Sequence, residues 1–218
     1  MSITKQLRIT QEPGNKRRAA FDLLSRILFE GGVIAYPTET VYGLGCLAFE
    51  RAPVERIRAL KGSRTGRPFI LVIPSHRSVD RLVKVSDETG ILIERFWPGP
   101  LTLVLEALEE VPAFLLGEDR TLAVRLSSSP FVQNLLARVK QPLVSTSANP
   151  EGLPPPSGPG DVIRYFEDHD QQIDLLVESS PGTMAGVAST VVSVIEREVT
   201  VLREGPITAD DILRALQQ

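Results

Sequence analysis

The stretch Gly31-Gly32-Val33-Ile34-Ala35-Tyr36-Pro37-Thr38-Glu39-Thr40-Val41-Tyr42-Gly43-Leu44-Gly45 decides how this chain is read. Val33 to Tyr36 is a short apolar run that Pro37 ends, the pattern of a buried strand. Just before it, residues 16–30 place Ala20, Leu24, Ile27 and Leu28 at i, i+4, i+7 and i+8, one apolar face of a helix. Gly31-Gly32 stops that helix by accepting left-handed dihedrals. After Pro37 come hydroxyls, a carboxylate and glycines. A helix feeding a buried strand is the unit of an α/β fold, and strand ends in such sheets open onto ligand crevices. Glycines let backbone N–H groups come close to a ligand. A polar turn capped by Thr38 fits the same residues.

Outward from this stretch the chain keeps alternating. Residues 53–61 predict a second helix, with Pro53 near its first turn and Val54, Ile57 and Leu60 inward. Phe69 to Ile73 reads as a strand. A helix over 87–96 stops at Trp97-Pro98-Gly99-Pro100, which no helix survives. Strands follow at 101–105 and 122–126. Ser129 caps a helix that Pro130 opens and that runs to about 138. Residues 143–146 are a strand, 150–160 a loop with five prolines and three glycines, 161–167 a short helix and 173–177 a strand. Residues 189–194 and 199–203 make a hairpin around Glu196-Arg197. Thr208 with Asp211 is a capping box for a last helix. Alternation early and meanders later argue for one α/β domain with a mixed parallel and antiparallel sheet.

Composition sets the outer limits. The chain has 218 residues, 42% hydrophobic and 23% charged, which is ordinary globular composition and excludes long disorder or coiled coil. Twenty-four Lys plus Arg against 27 Asp plus Glu give a net charge of −3, so the whole molecule is not an electrostatic sponge for nucleic acid. One cysteine, Cys46, cannot form an intrachain disulfide and fits a reducing compartment; its apolar neighbours make it a small core residue. There is no run of about 18 apolar residues and no signal-peptide core, so a cytoplasmic protein without membrane attachment is expected.

Three further segments carry groups that a core does not need. Lys61-Gly62-Ser63-Arg64-Thr65-Gly66-Arg67 sets three cations among glycines and hydroxyls, which suits a polyphosphate. The spacing is neither a Walker loop nor a dinucleotide fingerprint; a solvated basic loop is the plain alternative. Ser145-Thr146-Ser147-Ala148-Asn149 puts neutral donors and acceptors at the end of an apolar strand, where they suit a carboxylate, a ribose or a phosphate, or simply cap their own turn. Arg125 stands between Val124 and Leu126. A guanidinium in an apolar strand needs a carboxylate, from the protein or from a ligand, unless it faces out from an edge. The two histidines, His76 and His169, have no metal-ligand spacing, so no protein-held metal is expected. There is no nucleophile elbow. Trp97 reads as a packing anchor.

These segments, in this order, resemble the YrdC-type threonylcarbamoyl-AMP synthases. The resemblance rests on Tyr36-Pro37-Thr38-Glu39-Thr40-Val41-Tyr42-Gly43-Leu44-Gly45, the Lys61 loop, Trp97-Pro98-Gly99-Pro100-Leu101-Thr102, Ala123-Val124-Arg125, Ser145 to Asn149, Ser189-Thr190-Val191-Val192 and Leu202-Arg203-Glu204-Gly205. It implies a twisted mixed sheet with flanking helices and a concave basic face. On this basis residues 1–15 are an N-terminal extension, 16–207 the catalytic domain and 208–218 a C-terminal helix. The implied enzyme is a nucleotidyltransferase that turns L-threonine, bicarbonate or carbon dioxide, and ATP with Mg2+ into threonylcarbamoyl-adenylate and pyrophosphate. That step begins N6-threonylcarbamoyl modification of adenosine-37, and implies tRNA and downstream transferase proteins as partners. Thr38, Thr40, Tyr42, Arg125 and Ser189 are the implied threonine contacts, with Arg125 on the carboxylate. Lys61, Arg64, Arg67, Thr121, Ser145, Asn149, Ser157 and Arg203 are the implied nucleotide contacts. Lys61, Arg64 and Ser147 stand nearest the reacting groups. The family's Lys-x-Arg here has Ser63 at its third position, so either Arg64 takes the phosphate through a shifted backbone or Arg67 replaces it. The loop at 150–160 is the expected lid. An RNA-binding accessory protein and a carbamoyl-transfer paralogue of the same fold remain the alternative readings.

Overall fold

The computed structural model describes residues 6–8, 15–62, 68–178 and 184–217. Ten strands form one sheet: β1 (Gln6–Arg8), β2 (Ile34–Pro37), β3 (Tyr42–Leu47), β4 (Ile70–Val72), β5 (Leu101–Glu106), β6 (Thr121–Arg125), β7 (Leu143–Ser147), β8 (Leu175–Glu178), β9 (Thr190–Ile195) and β10 (Glu198–Arg203). Their order is β1-β8-β2-β3-β7-β4-β6-β5-β9-β10. β8 runs parallel to β1 and β2, β6 to β4, and β9 to β5, while the other neighbours are antiparallel. The sheet is therefore mixed, as expected. The helices are α1 (Asn15–Phe29), α2 (Arg51–Lys61), α3 (Asp87–Phe96), α4 (Pro130–Val139), α5 (Pro159–Phe166) and α6 (Ala209–Leu216).

Two strands differ from the sequence reading. The sequence reading names no strand between Pro37 and the helix at 53–61, yet residues 42–47 are β3. The Pro37–Val41 segment is a tight turn instead: Thr38 Oγ1 donates to Val41 O at 2.7 Å and accepts from Val41 N at 3.2 Å. Pro37 then pairs with Tyr42 across the β2–β3 hairpin. The glycines mark close approach rather than a loop. A Cβ on Gly45 would lie 2.6 Å from the Tyr36 ring and 2.8 Å from Val144 O, which only glycine in a central strand tolerates. The second difference is β1, whose backbone extends the sheet from the N-terminal segment.

Helices cover the two faces unequally. α2, α3, α5 and α6 bury Val54, Ile57, Leu60, Leu92, Val162, Phe166 and Ile212 in the larger core, against Leu44, Leu71, Leu103, Val124 and Val192 of the strands. α1 and α4 form a smaller core on the other face, where Phe21, Leu24, Leu28, Val132, Leu135 and Leu136 meet Ile34, Tyr36, Leu47 and Leu143. That second core draws no buried residue from β5, β6, β9 or β10. A cleft opens on this face among β3, β4, β6 and β7, and it is where the polar residues gather. Capping follows the sequence. Ser129 accepts Val132 N–H at the start of α4, and Thr208 and Asp211 form a reciprocal box at α6. Among the described residues no helix is long and apolar enough to cross a membrane.

Candidate active site

Strand alternation places the site. On β6, Leu122 and Val124 face the large core, so Thr121, Ala123 and Arg125 face the other way. On β7, Val144 faces the large core and Ser145 and Ser147 the cleft. The cleft opens to solvent and holds about 500 Å3 of space, part of it bulk solvent. Thr38, Thr40, Tyr42, Arg125, Ser145, Ser147, Ser189 and Arg203 all line it. These come from five separate stretches of chain. Arg125 and Arg203 are the only charged side chains lining it among the described residues.

Arg125 is 6% exposed and clamped. Its Nε donates to Gly99 O at 3.1 Å, its Nη1 donates to Thr40 Oγ1 at 3.3 Å, and its Nη2 lies 2.5 Å from Glu39 Oε1. The carboxylate that the sequence demanded is thus supplied by the protein. Burial alone would raise the Glu39 pKa. The Arg125 charge and hydrogen bonds from Ser127 Oγ and Ser128 N outweigh it and hold the carboxyl below its usual range. Gly99 belongs to the Trp97-Pro98-Gly99-Pro100 turn. Trp97 is buried with its Nε1 donating to Leu101 O at 2.7 Å, so it anchors the turn that presents Gly99 O. A Cβ on Gly99 would fall 2.2 Å from Phe96 O.

The hydroxyls are held from behind as well. Tyr36 O–H donates to Ser145 Oγ at 2.8 Å, and complete burial pushes the phenol pKa up, so it remains a neutral donor. Ser189 Oγ lies 2.9 Å from Thr102 Oγ1, which is fully buried. Thr38 Oγ1 lies 2.9 Å from Thr40 Oγ1. Arg203 donates through Nε and Nη2 to Ser189 O at 3.1 and 2.8 Å. Its pKa is lowered, first by burial and then by the like charge of Arg125. Such support keeps donors and acceptors aimed before a ligand arrives.

Lys61 ends α2, where Gly62 in the left-handed region closes the helix at φ 61°. The amine is buried and donates to Asn149 O at 2.7 Å, Ser147 O at 2.9 Å and Ser147 Oγ at 3.3 Å. Burial lowers its pKa to about 8, with Glu151 opposing. Lys61 therefore fastens the Ser147–Asn149 turn at the cleft's edge rather than standing in a free loop. Asn149 is buried too: its Nδ2 donates to Leu153 O and Pro150 O, and its Oδ1 has no partner.

Four expected contacts are absent from the cleft lining: Lys61, at its edge, and Asn149, Thr121 and Ser157. Thr121 lies four residues from Arg125 on the same face of β6, its hydroxyl on Glu118 O. Ser157 is bound to Asp161 at the start of α5, through both its N–H and its hydroxyl. Asn149 is reached only through Ser147 and Lys61. Arg64 and Arg67 lie outside the described residues. Sequence reading missed Glu39, Thr102, Tyr36 and Gly99 O as members of this network. A lone carboxylate in a neutral turn was the one signal available for Glu39. Among the described residues no three His, Cys, Asp or Glu side chains gather where they could hold a metal ion.

Comparison with known proteins gives this arrangement its relatives. The Sua5_yciO_yrdC family model, described as "Telomere recombination", matches residues 26–205. A threonylcarbamoyl-AMP synthase of Pyrococcus abyssi is 36% identical over 188 residues, covering 86% of this chain and 54% of its own. One from Nitrosococcus oceani is 39% identical over 165 residues, covering 75% of this chain and 88% of its own. The solved structure of P. abyssi Sua5 complexed with L-threonine superposes with a TM-score of 0.87 at 32% identity, over 96% of this chain and 60% of that one. This chain thus spans little more than half the length of the P. abyssi protein and most of the N. oceani one. With the family model matched from α1 to the end of β10, the chain belongs to the Sua5/YciO/YrdC family.

Proposed function

We propose that this protein makes L-threonylcarbamoyl-adenylate and pyrophosphate from L-threonine, carbon dioxide or bicarbonate, and ATP. The single observation that carries the reading is the cleft itself. It joins a clamped, buried Arg125 with the hydroxyls of Thr40, Ser145, Ser147 and Ser189 and with a second guanidinium, Arg203. The P. abyssi relative crystallised with L-threonine, and relatives are named for this product.

The chemistry needs little covalent help. The neutral amine of threonine attacks carbon dioxide, forms the N–C bond and gives up a proton. A carbamate oxygen then attacks the α-phosphorus, and the bond to the pyrophosphate leaving group breaks. Orientation and charge neutralisation supply most of the gain in such transfers. Arg125 orients the threonine carboxylate and Thr40 and Ser189 its remaining polar groups. Ser147 lies between the amino acid and the nucleotide. Lys61 and Arg203 neutralise phosphate charge, joined by Arg64 or Arg67. The described residues offer no carboxylate set for a resident divalent ion, and the nearest carboxylate, Glu39, is taken by Arg125 and two serines. Magnesium is therefore assigned to the triphosphate. The carbamate is fragile in water, so exclusion of solvent matters, and the loop at 150–160, held to Asn149 at Pro150 O and Leu153 O, is the assigned cover. Transfer of the product to tRNA adenosine-37 by partner proteins in the cytoplasm completes the reading.

The test is a turnover assay with ATP, magnesium, bicarbonate and labelled threonine. Pyrophosphate release that requires threonine is expected. Release indifferent to threonine, or salt-dependent RNA binding without any adenylate, rejects the synthase.

A further inference from the structure

The carboxylate of Glu39 has no role in the scheme above. It is absent from the cleft lining, and its polar contacts go to the protein. Oε1 meets Arg125 Nη2 at 2.5 Å and accepts Ser128 N–H at 3.0 Å, while Oε2 accepts the Ser127 hydroxyl at 2.6 Å. The carbonyls of Glu39 and Thr40 accept Ala185 N–H and Gly186 N–H, each at 2.9 Å. One residue thus joins the 38–41 turn, the approach to α4 and the segment that leads into Ser189. Without it Arg125 keeps only neutral acceptors, Gly99 O and Thr40 Oγ1. A buried guanidinium stripped of its counter-charge either reorients or takes up another anion.

We propose that Glu39 is a positioning and specificity residue: it holds the Arg125 guanidinium from behind in the orientation that receives an amino-acid carboxylate, and it cancels the charge that would otherwise capture small anions there. The proposal rests on reading Arg125 as the threonine carboxylate's partner. An α-amino acid binds by shape and several hydrogen bonds, so it tolerates a neutralised arginine. A free phosphate binds mainly by charge and is discriminated against.

The test compares wild type, Glu39→Gln and the milder Ser127→Ala in the full chain, with labelled threonine as the readout and inorganic phosphate as the competing anion. Glu39→Gln is expected to lower kcat/KM for threonine by about tenfold or more while KM for ATP stays within about twofold. Phosphate inhibition competitive with threonine should tighten in the same variant. Ser127→Ala should move both quantities the same way by less. Independently of turnover, the Arg125 Nε–H resonance, assigned through Arg125→Lys, should be sharp in wild type and broadened in Glu39→Gln. Unchanged threonine kinetics, unchanged phosphate inhibition, or equal losses for threonine and ATP would overturn the role. An inactive wild type with the resonance lost in Glu39→Gln would reject the synthase and keep the positioning.

Discussion

At the scale of single residues, Arg125 and Lys61 differ in what holds them. Arg125 is paired and clamped, so Arg125→Ala leaves Glu39 without its partner and, on the proposed reading, removes the anchor of the threonine carboxylate. KM for threonine should rise far more than KM for ATP, by about a hundredfold against less than threefold. Steady-state kinetics with each substrate varied in turn will show it. Equal effects would mean that Arg125 serves both ligands. Lys61 has its charged form disfavoured by burial, with a pKa near 8. On the proposed role of Lys61 toward phosphate, raising the pH through 8 removes its charge, so kcat/KM for ATP should fall on an alkaline limb near that value. Lys61→Arg should abolish the limb. The same shift acts on stability with a definite sign. Between about 8 and the ordinary lysine value near 10.4, the unfolded chain binds more protons at this group than the folded one, so its contribution to stability rises with pH across that window. Both residues were singled out from sequence, because a lysine among glycines and an arginine in an apolar strand each need an explanation. Glu39 could not be chosen as Arg125's partner from sequence, since they are separated by 86 positions.

At the scale of elements, most helices were readable and β3 was not. Helix α4 announces itself with Ser129, Pro130 and an apolar face at Val132, Leu135 and Leu136. β3 carries Tyr-Gly-Leu-Gly-Cys-Leu, where glycine's low strand propensity argues for a loop. Tertiary packing overrides it: Gly45 is needed because Tyr36 and Val144 O already fill the space of a Cβ. Gly45→Ala should therefore cost about 1–3 kcal/mol of stability by overpacking. It should also disturb the Tyr36–Ser145 hydrogen bond, so activity should fall beyond what unfolding explains. Urea titration and kinetics on the same preparation separate the two, and a wild-type midpoint would show the strand has slack. The hairpin between β9 and β10 gives the opposite case. Glu196 and Arg197 both hold positive φ, 50° and 69°, in a turn of the kind that favours Asn-Gly. Glu196→Asn should stabilise by about 0.5–1 kcal/mol, and an unchanged urea midpoint would contradict that account.

At the scale of the whole molecule, the question is whether one cleft holds both substrates. If it does, threonine and ATP should each raise Tm. A ligand at about 100 times its Kd adds roughly 2.7 kcal/mol. Arg125→Ala should lose the threonine increment and keep the ATP one, as read by thermal denaturation. Loss of both, or of neither, would mean the ligands are not arranged as assigned. The sequence by itself determined the α/β class, the helix ends and the list of polar groups that no core requires. Periodicity, capping and turn chemistry are local and can be read within a dozen residues. Only the tertiary structure decided which of those groups meet. It brought Thr40, Arg125, Ser145, Ser189 and Arg203 to one cleft and left Thr121 and Ser157 outside it. It also gave Arg125 a protein carboxylate. Strand order and register set those meetings, through pairings between distant segments, such as Gly43 with Ser147 and Ile34 with Leu175. Long-range pairing answers to the packing of the entire sheet, and no local pattern encodes it.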